Sequence, residues 1–113
     1  MPLELEPRLR ARRDAVAVLC RVHGVAALEV FGSASDGRFD PARSDYDFIA
    51  RFAARPEGSL ARRYVDFSEA LEALLGRPVD VMTDHPIANP YLRREVDATR
   101  QTVYAEPAAQ APA

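Results

Sequence analysis

The chain has 113 residues, of which 48% are hydrophobic and 28% charged, and its formal net charge is −2. This length suits one compact domain, and the composition is typical of a globular protein rather than a disordered one. The slightly acidic balance argues against strong nucleic-acid binding, because proteins that bind a phosphate backbone usually present a basic face. All 15 basic residues are arginine, which excludes mechanisms that need a P-loop lysine or a lysyl intermediate.

The ends of the chain and its single cysteine set further expectations. The first ten residues contain no uninterrupted apolar core, so we expect no signal peptide and a cytoplasmic location. No stretch approaches the roughly 18 apolar residues of a membrane span. Cys20 lies in an apolar stretch and is expected to be a buried, inert thiol. Residues 106–113 are rich in proline and alanine, which predicts a disordered tail after a single domain over residues 1–105.

The first half of the chain predicts one helix and two strands. Apolar residues recur at helical spacing over residues 6–23, and Gly24 follows as a C-cap. The short apolar run 25–31 predicts a buried strand that ends before Gly32. Residues 45–53 alternate as a second strand, with Tyr46 and Phe48 on one face and Asp45 and Asp47 on the other.

The second half predicts two more helices and at least one strand. Residues 59–75 carry a clear apolar stripe between a capping serine and Gly76. Residues 79–83 predict a third strand, residues 88–100 a helix with Pro90 in its first turn, and residues 102–105 a short edge strand. The order indicates a small α/β (α+β) domain in which helices pack on a mixed β-sheet. A domain of this size is near the lower limit for a comfortable core, so a homo- or hetero-oligomeric partner would be unsurprising.

Three aspartates form the first candidate cluster. Asp45 and Asp47 lie two residues apart in the predicted second strand, so both side chains leave the same face. Neighbouring carboxylates repel each other unless a cation lies between them, and Mg²⁺ is commonly held by one or two carboxylates together with substrate phosphates. Asp80, on the predicted third strand, can add the third carboxylate that a two-metal phosphoryl- or nucleotidyl-transfer site supplies. We therefore predict Asp45, Asp47 and Asp80 as metal ligands and catalytic residues.

Gly32 and Ser33, at the end of the first strand, form the second candidate motif. A glycine at a strand end, followed by a serine that opens a helical turn, can direct backbone N–H groups at an anion. The Ser33 hydroxyl adds a donor, and the missing Cβ of Gly32 lets a phosphate approach. Taken alone, Gly-Ser is usually a turn and Asp-x-Asp is often a solvated strand end. Their combination with Asp80 predicts that Gly32 and Ser33 bind nucleotide phosphates.

These motifs resemble those of a known superfamily. The pattern Gly32-Ser33, Asp45-x-Asp47 and a later strand carboxylate is similar to that of DNA polymerase β-type nucleotidyltransferases. More closely it resembles the minimal nucleotidyltransferase (MNT) domain proteins, such as the MntA-like antitoxins of HEPN/MNT toxin–antitoxin systems. The stretches "LEVFGS", "SDYDFIARF", "LLGRPVDVMT" and "NPYLRREV" also fit, so the resemblance covers roughly residues 10–105. Eleven residues separate Ser33 from Asp45, one more than is usual in the family.

The resemblance implies a polymerase β-like minimal fold and a particular reaction. An acceptor hydroxyl would attack the α-phosphorus of a nucleoside triphosphate, with ATP as the expected substrate and Mg²⁺ as the cofactor. Asp45 and Asp47 would hold Mg²⁺ on the triphosphate, and Asp80 would complete a second metal site and could help to deprotonate the acceptor. Gly32 and Ser33 would fix the β- and γ-phosphates.

The resemblance also implies a partner. Free-standing MNT proteins are often antitoxins encoded beside a helical HEPN-domain toxin that acts as a ribonuclease, and those studied can transfer adenylate from ATP to a toxin tyrosine. Relatives that modify small molecules such as aminoglycosides usually carry an additional helical domain, for which 113 residues leave no room. The expected acceptor is therefore a protein hydroxyl.

Three alternatives remain open at this stage. The protein could neutralise a toxin by covering its surface without catalysis, and it could instead act on a small molecule or an RNA 3′ end. An arginine could also clamp the triphosphate, and Arg38 and Arg43 lie nearest to the motif in sequence.

Overall fold

A computed structural model describes residues 4–54, 59–83 and 87–107 of the chain. It contains five helices and four strands within those ranges. In chain order these elements are α1 (Pro7–Ala11), α2 (Arg13–His23), β1 (Val25–Phe31), α3 (Ser33–Asp36), β2 (Tyr46–Phe52), α4 (Leu60–Leu75), β3 (Val79–Thr83), α5 (Pro90–Thr99) and β4 (Gln101–Ala105).

The four strands form one mixed sheet in the order β3-β2-β1-β4. Strand β1 is antiparallel to both β2 and β4, whereas β2 and β3 are parallel. A parallel pair needs a long crossover connection, and α4 lies in the connection between β2 and β3. The predicted α/β (α+β) class with a small mixed sheet is therefore confirmed, and the run 102–105 is part of an edge strand as expected.

Helices cover both faces of the sheet. The main core combines buried residues of α1, α2 and α4 with one face of the sheet, including Tyr46 and Phe48 of β2. A smaller cluster on the other face joins Phe31 and Ile49 to Val96 of α5. Because successive residues of a strand point to opposite faces, Asp47 lies on the same face as Ile49, beneath α5.

Two predicted boundaries differ from the structure. The helix expected over 6–23 is two helices, because the backbone at Arg12 leaves the helical conformation at φ −106° and ψ 14°. This turn lets Leu9 of α1 and Val16 of α2 reach the same core. Strand β2 begins at Tyr46, so Asp45 precedes the strand rather than opening it.

Most predicted helix ends are confirmed. Gly24 and Gly76 end α2 and α4 in the left-handed conformation, and Ser59 caps α4 by accepting a hydrogen bond from the Arg62 N–H. Cys20 is buried, and burial raises the pKa of its thiol to about 12, which fits an inert thiol.

The start of the predicted C-terminal tail is bonded to the sheet. Of the predicted disordered tail, the Glu106 N–H donates to the Ala26 carbonyl oxygen at 2.9 Å, and residues 108–113 lie outside the described residues. Within the described ranges, no helix has the length and apolar character to cross a membrane.

Candidate nucleotide and metal site

The junction between β1 and α3 is built around Gly32. Its backbone has φ +74° and ψ −146°, a combination that residues with a side chain rarely adopt. A Cβ at this position would lie 3.2 Å from Oδ2 of Asp47 and 3.9 Å from Oε1 of Glu95. The glycine therefore leaves room for two carboxylates beside the backbone, in addition to any ligand.

A hydrogen-bond network ties this junction to the end of α5. The Gly32 N–H donates to Oγ1 of Thr99 at 2.8 Å, and the Thr99 hydroxyl donates to the Glu95 carbonyl oxygen at 2.6 Å. The Ser35 hydroxyl donates to the Thr99 carbonyl oxygen, and the Gln101 amide donates to Oγ of Ser35 at 2.6 Å. The Gly32 N–H thus already has a hydrogen-bond acceptor within the protein. A phosphate bound at this junction would need other N–H or O–H donors, and the role of Gly32 is to shape the backbone.

Ser33 opens α3 and borders a cavity. The cavity has a volume of about 450 Å³, and its walls include Phe39 of the following loop and both acidic and basic residues of the N-terminal segment: Glu4, Glu6, Arg8 and Arg10. The sequence predicted Ser33 as a phosphate donor but did not associate the N-terminal arginines with it. No sequence pattern links Arg8 and Arg10 to Ser33, because these residues line one cavity only after the N-terminal segment has folded over α3.

Asp47 and Asp80 occupy paired positions in the sheet. They are register partners on the parallel strands β2 and β3, and paired Cα atoms of adjacent strands are about 5 Å apart. Register partners on neighbouring strands point to the same face, so both carboxylates lie on the side covered by α5. The predicted juxtaposition of these two aspartates is present in the fold.

The electrostatic environment of Asp47 is unfavourable for its negative charge. Asp47 is half-buried, and its pKa is raised from the ordinary value of 3.8 to about 6. Desolvation by burial is the largest cause, followed by the charges of Asp80, Asp45 and Glu95. A cation bound at this position would relieve that repulsion, which is the electrostatic condition expected of a metal ligand.

Asp45 was predicted to lie in the strand and to point the same way as Asp47, but it precedes β2 and its carboxylate is paired with Arg77. Its side chain is 55% exposed, and Oδ1 lies 3.6 Å from Nη2 of Arg77. The Arg77 Nε–H also donates to the Ser44 carbonyl oxygen at 3.1 Å, which fixes the guanidinium beside the loop. Asp45 therefore shares the neighbourhood of Asp47 while its carboxylate is paired with an arginine.

The donor chemistry of this region suits Mg²⁺, because carboxylate oxygens are its preferred protein ligands. As the side chains stand, however, the described residues contain no group of three or more His, Cys, Asp or Glu placed to hold an ion. The assignment of Asp45, Asp47 and Asp80 as a common ligand set stays a prediction, and it requires the carboxylates to reorient around the ion.

The structure adds two residues that sequence reasoning did not place at the site. Glu95 of α5 reaches the Gly32 junction and contributes to the charge around Asp47. Arg38, in the loop after α3, donates to Oδ2 of Asp36 at 2.6 Å and to Oε1 of Glu95 at 3.4 Å. Arg38 was one of two arginines considered from the sequence, whereas Glu95 was not considered.

The long loop between Ser33 and Asp45 divides into two compact parts. Helix α3 occupies its first residues, and a turn over residues 40–44 is closed by its own hydrogen bonds. The Ser44 N–H donates to the Asp40 carbonyl oxygen at 2.7 Å, and the Asp40 N–H donates to Oγ of Ser44 at 2.9 Å. Because the turn closes on itself, extra length there need not displace Asp45.

Comparisons with known proteins agree with this arrangement. Residues 12–103 match the family described as nucleotidyltransferase domain. A protein of Methanocaldococcus jannaschii, named as a candidate protein adenylyltransferase, is 32% identical over 73 residues, which are 65% of this chain and 71% of the relative.

Solved structures show the same fold. A structure described as a minimal nucleotidyltransferase is 36% identical, with a TM-score of 0.63 over 82% of this chain and 90% of the other. A tri-AMPylated HEPN toxin of Shewanella oneidensis in complex with its MNT antitoxin matches at 16% identity and a TM-score of 0.56, over 87% of this chain and 73% of the other. A toxin–antitoxin structure with AMP-PNP matches at 19% identity and a TM-score of 0.60, over 85% and 75% respectively.

Proposed function

Because the chain belongs to the nucleotidyltransferase domain family, we propose that it transfers AMP from ATP to a protein hydroxyl in a Mg²⁺-dependent reaction. We further propose that the acceptor belongs to a HEPN-domain ribonuclease toxin, which this protein neutralises as an antitoxin. One observation carries the catalytic part of the proposal. The carboxylate of Asp47 lies beside Gly32, faces the same side of the sheet as Asp80 and has its pKa raised by burial and by neighbouring carboxylates.

The proposed step is an in-line displacement at phosphorus. The acceptor oxygen forms a bond to the α-phosphorus of ATP, the bond from that phosphorus to the bridging oxygen breaks, and pyrophosphate leaves. The acceptor proton passes to a carboxylate of the site, for which Asp80 is the proposed group. Mg²⁺, when bound, neutralises phosphate charge and polarises the α-phosphoryl group.

The residues of the chain supply position and charge in this step. Asp45 and Asp47 would hold the ion and Asp80 would complete the ligand set, which requires Asp45 to leave its ion pair with Arg77. Ser33 would donate to the terminal phosphates, and Gly32 keeps the positive-φ backbone that leaves room for the Asp47 carboxylate beside the junction. Catalysis then comes mainly from orientation and charge neutralisation.

The comparisons support the partner and the acceptor. The M. jannaschii relative is named as a candidate protein adenylyltransferase, and one structural neighbour is an antitoxin bound to an AMPylated HEPN toxin. The chain also has an apolar surface that a protein partner could cover. Val18 and Val22, one turn apart on α2, are 49% and 62% exposed, and Leu60 and Val65 of α4 are exposed as well.

A direct test mixes the purified protein with the product of the adjacent gene, Mg²⁺ and ATP, and measures the mass of that product. The proposal predicts an adenylate mass increase that requires Mg²⁺ and is lost in Asp45→Ala and Asp47→Ala. Ribonuclease activity of the partner should fall in parallel with modification.

Two other outcomes correspond to the alternatives. If wild type and both alanine variants neutralise the partner equally, the protein acts by covering it and the catalytic proposal is wrong. If the protein consumes ATP only when an aminoglycoside or another small acceptor is supplied, the acceptor proposal is wrong while the reaction type stands.

A further inference from the structure

Arg38 links helix α3 to helix α5 through two carboxylates. Its Nε donates to Oδ2 of Asp36, the last residue of α3, at 2.6 Å. Its Nη2 lies 3.4 Å from Oε1 of Glu95 on α5. The Arg38 side chain is 62% exposed, so its guanidinium is held by two carboxylates but remains open to solvent.

Glu95 connects this pair to the Gly32 junction. The same Oε1 atom that receives Arg38 lies 3.9 Å from the position that a Cβ on Gly32 would occupy, and Oδ2 of Asp47 lies 3.2 Å from that position on its own side. The Glu95 carboxylate thus contacts the Arg38 guanidinium and also lies near the Gly32 junction, where the proposed function puts the triphosphate.

The carboxylates near Asp47 disfavour a polyanionic ligand, and an arginine that contacts its phosphates would reduce that repulsion. The charges of Asp80, Asp45 and Glu95 act on Asp47, and a nucleoside triphosphate would add several more negative charges. Among the described residues, Arg77 also forms an ion pair with this group, at Asp45, but its Nε–H donates to the Ser44 carbonyl oxygen and its side chain is only 25% exposed. Arg38 has the exposure and the reach that a phosphate contact needs.

Arg43, the second arginine considered from the sequence, lacks this connection. Its backbone N–H donates to the Asp40 carbonyl oxygen within the loop turn. Among the ion pairs formed between described residues, none joins Arg43 to α5 or to an aspartate of the site. The structure therefore distinguishes two residues that the sequence left equivalent.

We propose that Arg38 binds the β- and γ-phosphates of the nucleotide, and that Glu95 competes with the nucleotide for it. This inference rests on the proposed nucleotidyltransferase function and names one binding residue within it. A guanidinium binds phosphate oxygens through parallel hydrogen bonds, which are stronger than an exposed ion pair with a carboxylate. Exposed ion pairs contribute little to stability, so the contact with Glu95 is readily exchanged for one with a triphosphate.

Two consequences separate this role from general electrostatics. The contribution of Arg38 should increase with the number of phosphates, being largest for ATP and smallest for AMP. Removing the charge of Glu95 should strengthen nucleotide binding, because it removes both a competitor for Arg38 and a negative charge beside the triphosphate.

The experiment measures binding of Mg²⁺–ATP, Mg²⁺–ADP and AMP to the full-length protein by calorimetry, without any acceptor. The variants are Arg38→Ala, Arg38→Lys and Glu95→Gln, with Arg43→Ala as the matched control from the same loop. Arg38→Ala should weaken ATP binding roughly 10- to 100-fold, as expected for loss of a charge-assisted contact, and AMP binding by less than about threefold. Arg38→Lys should fall between wild type and alanine, Glu95→Gln should bind ATP several-fold more tightly, and Arg43→Ala should match wild type.

The outcomes distinguish this inference from the proposed function. If wild type binds no Mg²⁺–ATP, the proposed function itself fails. If wild type binds and Arg38→Ala binds as well as Arg43→Ala, the assignment of Arg38 is wrong. If Glu95→Gln leaves ATP affinity unchanged but abolishes transfer to an acceptor, Glu95 acts on the acceptor and the competition is wrong.

Discussion

Asp47 and Asp80 are register partners on the parallel strands β2 and β3, although 33 positions separate them in the chain. The Cα atoms of such partners are about 5 Å apart and their side chains share one face of the sheet. This pairing brings two separate sequence motifs together on the face of the sheet that α5 packs against, with Asp47 half-buried and Asp80 exposed. The proposed division of labour, in which Asp47 holds the ion and Asp80 also serves the acceptor, can be tested by changing each residue alone.

Asp80→Asn is expected to separate transfer from binding. Asparagine retains the shape and one oxygen but cannot accept the acceptor proton, so we predict a fall in kcat of roughly 100-fold or more. Because Asp47 and Ser33 remain, the affinity for Mg²⁺–ATP should change by less than about tenfold. Single-turnover transfer and equilibrium ATP binding measure the two effects.

Asp66→Asn serves as the control for Asp80→Asn. Asp66 is a partly exposed aspartate of α4 that pairs with Arg62 at 3.6 Å, away from the α5 face of the sheet. This variant should transfer adenylate at the wild-type rate. Equal activity in Asp80→Asn and Asp66→Asn would remove Asp80 from the catalytic residues.

Gly32→Ala is expected to damage both stability and nucleotide binding. The backbone conformation at φ +74° and ψ −146° disfavours any side chain, which costs about 1–3 kcal/mol of unfolding free energy. The new methyl group would also lie 3.2 Å from Oδ2 of Asp47 and force that carboxylate to move. Urea denaturation and Mg²⁺–ATP binding should therefore both be impaired.

Gly76→Ala provides a comparison at another positive-φ glycine that has no site contact. Gly76 has φ +70°, and a Cβ there would meet no atom within 4 Å. We expect it to lose about 1–2 kcal/mol of stability while it binds nucleotide normally. Normal nucleotide binding by Gly32→Ala as well would show that the junction tolerates movement of Asp47.

Thr99→Val tests the network that holds the junction to α5. The Thr99 hydroxyl accepts from the Gly32 N–H at 2.8 Å, and valine would leave this buried donor without a partner. An unsatisfied buried donor costs about 1–3 kcal/mol, so the unfolding free energy should fall by that amount. Thr99→Ser keeps the hydroxyl and should lose much less, which distinguishes the hydrogen bond from the packing of the methyl group.

Asp47→Asn is expected to stabilise the metal-free protein at neutral pH. The pKa of Asp47 is raised from 3.8 in an unfolded chain to about 6 in the fold, so the folded protein binds this proton more tightly. The resulting stabilisation is fully present below pH 3.8 and is lost as the pH rises through about 6. Asparagine stays neutral, so at pH 7.5 in EDTA it should be more stable than wild type. The shift corresponds to about 3 kcal/mol at most, which solvent screening of this half-buried group reduces to about 1–2 kcal/mol.

The sign and the cause of this effect can be checked together. The stability difference between Asp47→Asn and wild type should vanish between pH 6 and pH 4. Adding Mg²⁺ with a non-hydrolysable ATP analogue should stabilise wild type and not Asp47→Asn. A difference that grows toward low pH would contradict the raised pKa.

Local patterns predicted the elements of this fold well because their signals lie within a few residues. Helical spacing of apolar residues marked α4, Pro90 marked the first turn of α5, alternation marked β2, and Gly24 and Gly76 marked helix ends. The failure at Arg12 has a physical reason as well. Both halves of the 6–23 segment carry helical spacing, but whether they form one straight helix depends on the surface of the core that each half covers.

The sequence by itself determined the set of reactive groups: Gly32-Ser33 after a strand, Asp45 and Asp47 at the start of the next, and Asp80 in a third. The tertiary structure decided how these groups meet, because contacts between distant residues leave no periodic signal. Thr99 accepts a hydrogen bond from Gly32, 67 positions away, and Glu95 accepts one from Arg38, 57 positions away. Arg77 forms an ion pair with Asp45, 32 positions away. Strand register and the placement of α5 over the sheet, both products of core packing, bring these side chains together.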